Sequence, residues 1–162
     1  INIPAEMGML THTSTNPSTS YIKIPQSAEI DSSLALYLEI KNGLIAGDFN
    51  AITGKMNTLS TMIKNWVPEL SEDISTLKLL SQTAQTLAGS TNVTTSRTYF
   101  VAFSRLYIDF MKGLDHDDVL FVQFCPMANE GKGAYWLSLE QEIKNPYYGA
   151  MMLRCGETIE RI

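Results

Sequence analysis

Two cysteines, Cys125 and Cys155, each have a methionine within three residues: Cys125-Pro126-Met127 in one segment and Met152-Leu153-Arg154-Cys155 in the other. Thiolate and thioether sulfurs are soft, polarizable donors, so two of each on one ion favour Cu(I). Zinc would prefer thiolate with imidazole, and hard ions would want oxygen. The spacings are usable. Residues two apart on a strand share a face, which lets Cys125 and Met127 point the same way. Residues three apart on one turn do so for Met152 and Cys155. The competing reading is a disulfide between the two cysteines, with the methionines as ordinary core filler. Met151, beside Met152, is read as packing or as a reserve ligand.

Other candidates carry less chemistry. His116, within Asp115–Asp118, reads as a solvated loop residue, and Asp117 and Asp118 as part of a hydrated acidic loop. Met7, Met9 and His12 lie in a Thr/Ser-rich stretch that reads as a tail. There is no His-rich metal signature, no glycine-rich phosphate loop between strand and helix, and no Ser or Cys nucleophile with an evident base. Gly131-Lys132-Gly133 reads as a turn. A thiol oxidoreductase would want a Cys-x-x-Cys pair, which this chain lacks. The expectation is therefore a protein that is not an enzyme.

Composition narrows the partners. The chain has 162 residues, 44% hydrophobic and only 18% charged, with a formal net charge of −5. That suits one domain with a sizeable core, and it offers a phosphate backbone no basic stripe, which argues against nucleic acid. The longest apolar run, Val119–Val122, is far short of the roughly 20 residues that span a bilayer. A chain beginning at Ile1 is read as having lost a targeting segment, which fits export and leaves membrane attachment only through an N-terminal anchor.

The elements that must position the sulfurs follow from periodicity. Residues 1–27 read as an extended leader or tether, within which 21–25 alternate like a strand or arm ended by Pro25. Residues 28–162 read as a single domain. Leu34, Tyr37, Leu38, Lys41 and Ile45 mark a first helix, with Asp31 or Ser32 as N-cap. Gly47-Asp48 breaks and recaps the chain, and Phe49, Ile52, Met56, Leu59, Ile63 and Trp66 mark a second helix, stopped by Pro68. Ser71 is the expected N-cap of a third, carrying Ile74, Leu77, Leu80, Ala84 and Leu87 and closed by Gly89. A fourth starts near Asn92 and carries Val93, Phe100, Phe103, Tyr107, Phe110 and Leu114, with Gly113 near its end. Short connections predict an up-and-down four-helix bundle. Beyond Asp115, residues 119–124 alternate like a strand, and the rest of the 115–157 motif is turn-rich. The fold class expected is mainly α, with a small C-terminal β/loop subdomain carrying the sulfurs.

The tail as a whole resembles a known pattern. It comprises Phe121-Val-Gln-Phe-Cys125-Pro-Met127, Gly131-Lys-Gly-Ala-Tyr-Trp-Leu-Ser138, Ile143-Lys-Asn-Pro-Tyr-Tyr-Gly149 and Met152-Leu-Arg-Cys-Gly156. This is similar to a periplasmic copper-associated domain of unknown function, found alone and at the C-terminus of CusB-type heavy-metal efflux adaptors. Looser likeness extends to Tyr37–Ile45, Gly47-Asp48 and Phe103-Ser104, so it covers about residues 31–157. The resemblance implies a periplasmic or cell-envelope protein that binds Cu(I), and with it Ag(I), through Cys125, Met127, Met152 and Cys155. It implies buffering copper or handing it to an efflux adaptor or copper chaperone. Trp136, Asn145, Pro146, Tyr147 and Gly149 also match and are expected to shape the loop: Trp136 as a buried anchor, Asn145-Pro146 as a turn, Gly149 for close or left-handed backbone. The chain has no room for a coiled-coil hairpin or lipoyl-like domain, which argues against direct bridging of a pump.

Overall fold

The computed structural model describes residues 25–67 and 75–162. It is mainly helical, with four helices and a small three-stranded antiparallel sheet. The helices are α1 (Ser27–Ala46), α2 (Phe49–Trp66), α3 (Ser75–Ala88) and α4 (Val93–Lys112). The strands are β1 (Phe121–Cys125), β2 (Ala134–Ser138) and β3 (Glu157–Arg161), in the order β2-β1-β3.

The helix ends are written in local chemistry. The first helix starts earlier than Asp31, because Gln26 and Glu29 form a reciprocal capping box in which the Gln26 amide donates to the Glu29 carboxylate at 2.9 Å. Gly47, at φ 69°, closes it: its amide returns to Leu44 O and that of Asp48 to Gly43 O. The Asp48 side chain then accepts from Ala51 N at 3.1 Å and opens α2. Asn92 opens α4 in the same way, accepting from Thr95 N at 2.9 Å. The expected Ser71 cap, Ile74 and the Pro68 stop lie outside the described residues, as do Met7, Met9, His12 and residues 21–24 of the extended piece read over 21–25.

Consecutive helices pack on one another, and α4 also packs on β2. The buried face of α1 is Ile30, Ser33, Leu34, Tyr37, Ile40, Lys41 and Leu44, wider than the expected stripe, with Leu38 and Ile45 only half-buried. On α4, Phe110 is also half-buried, as is Leu114 just beyond the helix end, and Ser96, Ser104, Ile108 and Met111 share the inner face with Phe100, Phe103 and Tyr107.

The sheet corrects the expectation of one strand followed by loop. Neither added strand has the alternation that marks a half-buried strand. Gln123 and Trp136 lie on one face beneath the 139–156 segment, while α4 covers the other, with the Arg105 guanidinium 4.3 Å from the Tyr135 ring centre. Strand β2 is therefore buried almost throughout. All five residues of β3 are exposed.

As an edge strand, β2 would leave backbone groups unpaired beside the helices. Three hydroxyls satisfy them. Leu137 N donates to Tyr37 Oη at 3.0 Å, while Tyr135 O accepts from Ser104 Oγ at 2.8 Å and from the Tyr147 hydroxyl. Tyr37 and Ser104 are themselves 2.7 Å apart. Burial holds the Tyr37, Tyr107 and Tyr147 phenols above their ordinary pKa of about 10, so they stay protonated. Replacing Tyr37 by Phe keeps the ring and orphans the Leu137 amide. The expected loss is about 1–3 kcal/mol of unfolding free energy, read from urea denaturation, with faster hydrogen exchange at Leu137. An unchanged midpoint would contradict this role.

Candidate functional site

Cys125 ends β1, fully buried, and Cys155 stands just before β3, half-buried. The pairing of Phe124 with Glu157 sets their meeting. Carried one step further, that register brings Gly156 opposite Cys125, with Cys155 diagonal to it. The two sulfurs are 2.7 Å apart across a sequence separation of 30 residues, and both cysteines are unbridged.

The Cys155 segment is held by its backbone. Asn145 is fully buried: its Nδ2 donates to Cys155 O at 2.9 Å, its N to Leu153 O at 2.7 Å, and its Oδ1 accepts from Tyr147 N at 2.8 Å. Gly156 has φ 138°, and a Cβ there would come within 2.8 Å of the Trp136 ring and 2.9 Å of Phe124 O. A glycine is required at that position for both reasons. Gly149 is different. Its φ is −69° with open space where a Cβ would stand, so its expected left-handed role is not seen, and Gly156 takes that part.

Trp136 is a buried anchor, donating to Gln123 Oε1 at 2.8 Å. Gln123, also fully buried, donates to Glu140 O at 2.9 Å and to Thr158 Oγ1 at 3.2 Å, tying β1 to the loop above and to β3. The Asn145-Pro146 turn is clamped by Arg97, whose Nε donates to Pro146 O at 3.2 Å and whose Nη2 donates to Leu44 O at 2.6 Å.

The methionines are not core filler here. Met127 is 57% exposed and Met151 is 99% exposed, which removes the packing role expected of Met151. Met152 is half-buried in a short 3-10 turn (Ala150–Met152), and its carbonyl accepts from Cys155 N at 3.1 Å. Met127 bears on the site through its backbone, which works to lower the Cys155 pKa. Its carbonyl accepts from the Tyr148 hydroxyl at 2.5 Å. Tyr148 was not singled out from the sequence, and no local pattern distinguishes it from Tyr147. His116 turns to its own loop, with Nδ1 2.8 Å from Asp118 O.

The turn after Met127 is wound left-handed. Asn129 and Glu130 have φ of 54° and 57°, followed by Gly131 at 81° and Gly133 at 85°. Gly131-Lys132-Gly133 is thus the expected turn, and Glu130 adopts its conformation without the freedom of glycine. Among the described residues no three of His, Cys, Asp and Glu cluster closely enough to hold a metal ion. A soft ion here would have to complete its shell from thioethers.

The adjoining Cys125 thiol, by hydrogen bonding, is the main cause that pushes the Cys155 pKa up. Desolvation adds to it, and the Met127 backbone opposes it. Compared with known proteins, the chain matches no family model, no curated protein and no solved structure.

Two outcomes follow from this geometry. A raised thiol pKa leaves little thiolate at neutral pH, so Cys155 should be alkylated by iodoacetamide more slowly than a free thiol. Cys125→Ala should speed that reaction at a fixed pH near 8. No acceleration would show that the neighbouring sulfur does not govern Cys155. Glu130→Gly relieves the left-handed strain and should raise unfolding free energy by about 1 kcal/mol, read from denaturant midpoints. A lower midpoint would contradict the strain.

Proposed function

We propose that the chain is a non-catalytic Cu(I)-binding module that buffers copper or passes it to a heavy-metal efflux partner in the cell envelope. One observation carries the reading. Sulfurs from Cys-Pro-Met and Met-x-x-Cys segments, 30 residues apart in sequence, lie 2.7 Å from each other at the end of one strand. Cys125 and Cys155 would supply two thiolates, releasing their protons on binding, and Met127 and Met152 would supply thioethers. The exposure of Met127 supports this, since an apolar side chain left 57% exposed two residues from Cys125 is badly used as core. Ag(I) shares the same preference for sulfur. The likeness of the tail to the domain found in CusB-type adaptors supports the envelope setting and an adaptor or chaperone as partner. The helices support an up-and-down bundle, since each packs on the next in sequence.

The donor set fits a soft ion after a small adjustment. Thiolates sharing one ion at metal–sulfur bonds of about 2.3 Å sit roughly 3.8 Å apart in a tetrahedral site. The sulfurs would part by about 1 Å. Cys125 is fixed in β1 and the Cys155 backbone is tied down at its carbonyl by Asn145, so the movement falls on the half-exposed Cys155 side chain.

The same closeness favours a second reading, a disulfide-stabilised structural or interaction domain without metal. A bridge closing this loop would stabilise by about 3.5 kcal/mol in the entropic model, so reduction would lower the melting temperature. Anaerobic titration against a competing Cu(I) chelator separates the two. Reduced wild type should hold one Cu(I) far more tightly than the Cys125→Ser, Cys155→Ser double variant, with Met127→Leu, Met152→Leu intermediate. Equal binding by wild type and the double-serine variant removes the copper reading. Absence of free thiols in freshly prepared native protein, with no metal response after reduction, establishes the other.

A further inference from the structure

Tyr147 and Tyr148 are neighbours of one residue type that turn to different tasks. Tyr147 is buried and seals the edge of β2. Tyr148 is half-buried and reaches across 21 residues of sequence to donate to Met127 O at 2.5 Å. That bond is not the rescue of an orphaned carbonyl, because Met127 O also accepts from Gly131 N at 3.3 Å within its own turn. What the phenol adds is a tie between two segments, and they are the two that carry the sulfurs. Met127 closes Cys125-Pro126-Met127, and Tyr148 stands two residues before the Ala150–Met152 turn.

The tie acts where Met127 needs it. Methionine is unbranched and flexible, so an exposed thioether is held only as well as the backbone that carries it. On one side of Met127 the Pro126 ring fixes its own φ and restricts Cys125 before it. On the other side the Tyr148 hydroxyl grips the Met127 carbonyl. The direction in which the Met127 side chain leaves the main chain is thereby set, and only its own torsions stay free. The phenol is also near the thiols: burial raises the Tyr148 pKa, and the charges of Cys125 and Cys155 raise it further. Beside Tyr148 lies a cavity of about 440 Å³, lined also by Val101 of α4, Gly149 and Asn129 of the left-handed turn. The Tyr148 ring has space to leave the carbonyl, which the buried Tyr147 lacks.

We propose that Tyr148 is a positioning residue of the sulfur site, a latch that sets how fast a bound ion is released. Closed on Met127 O, it holds the Cys-Pro-Met turn to the Met-x-x-Cys segment and keeps the Met127 thioether on the ion. Swung into the cavity, it frees that thioether, and the ion is left with fewer sulfurs and departs sooner. The inference rests on the copper reading and names the residue that governs its release step.

The test uses Tyr148→Phe, which keeps the ring and removes the hydroxyl, in the reduced full chain loaded anaerobically with one equivalent of Cu(I). Release is followed by stopped-flow transfer to excess bicinchoninate. Loss of one neutral hydrogen bond should speed release about three- to tenfold. In a Met127→Leu background, which itself releases faster, adding Tyr148→Phe should change the rate less than about twofold, because the latch acts through Met127. A merely structural role for Tyr148 would give the same factor in both backgrounds. In metal-free protein Tyr148→Phe should also speed hydrogen exchange of the Gly131 amide, whose acceptor carbonyl is then held from one side only. The proposal is overturned if Tyr148→Phe releases Cu(I) at the wild-type rate, if its factor is undiminished by Met127→Leu, or if Gly131 exchange is unchanged. Failure of the copper reading shows separately, as equal Cu(I) affinity in wild type and the Cys125→Ser, Cys155→Ser variant, and it removes the latch with it.

Discussion

A three-stranded sheet this small has an edge that must be satisfied before it can pack against helices, and here side-chain hydroxyls do the work of a fourth strand. Leu137 N and Tyr135 O, on the outer side of β2, are met by Tyr37 from α1, Ser104 from α4 and Tyr147 from the returning tail. Buried backbone groups left without partners would cost about 1–3 kcal/mol each. The hydroxyls therefore fix where the sheet sits on the helices. Ring contacts extend that seam, with Tyr37 stacked 4.8 Å from Tyr107 and Phe100 tilted 5.8 Å from Tyr147.

From that seam the sulfurs are placed in sequence. Tyr147 N bonds to Asn145, and Asn145 bonds to the Cys155 carbonyl, so the group that seals the sheet edge also fixes the chain carrying the second thiol. On the other side, Gln123 ties β1, Trp136 and β3 together two residues along the strand from Cys125. The two cysteines thus differ in kind: Cys125 sits in rigid sheet, and Cys155 in an irregular, half-exposed link.

Much of the helical part was legible because periodicity and caps are local. Gly47 acts through a left-handed backbone and Asp48 and Asn92 through their own side chains, and the structure uses each as expected. The start of α1 was misplaced because Asp31 and Ser32 look like better caps than the Gln26 and Glu29 pair that caps it. Strands β2 and β3 were hidden for opposite reasons: the first is covered on both faces and the second on neither, so neither alternates. The polar residues that matter most to the sheet, Ser104 and Gln123, gave no signal of burial because their partners are distant in sequence. The two sulfur segments could be singled out from composition, but their meeting depends on the Phe124–Glu157 register, which no short pattern encodes. Gly156, not Gly149, needs glycine because Trp136 and Phe124 approach it in three dimensions.

The central claim is that two thiols brought together by this register take a soft ion. X-ray absorption at the copper edge of the reduced protein, loaded anaerobically with one equivalent of Cu(I), tests it most directly. The account predicts a first shell made only of sulfur, which loses two scatterers when both cysteines are replaced by serine. A shell of nitrogen and oxygen, or a spectrum unchanged by that replacement, would contradict it.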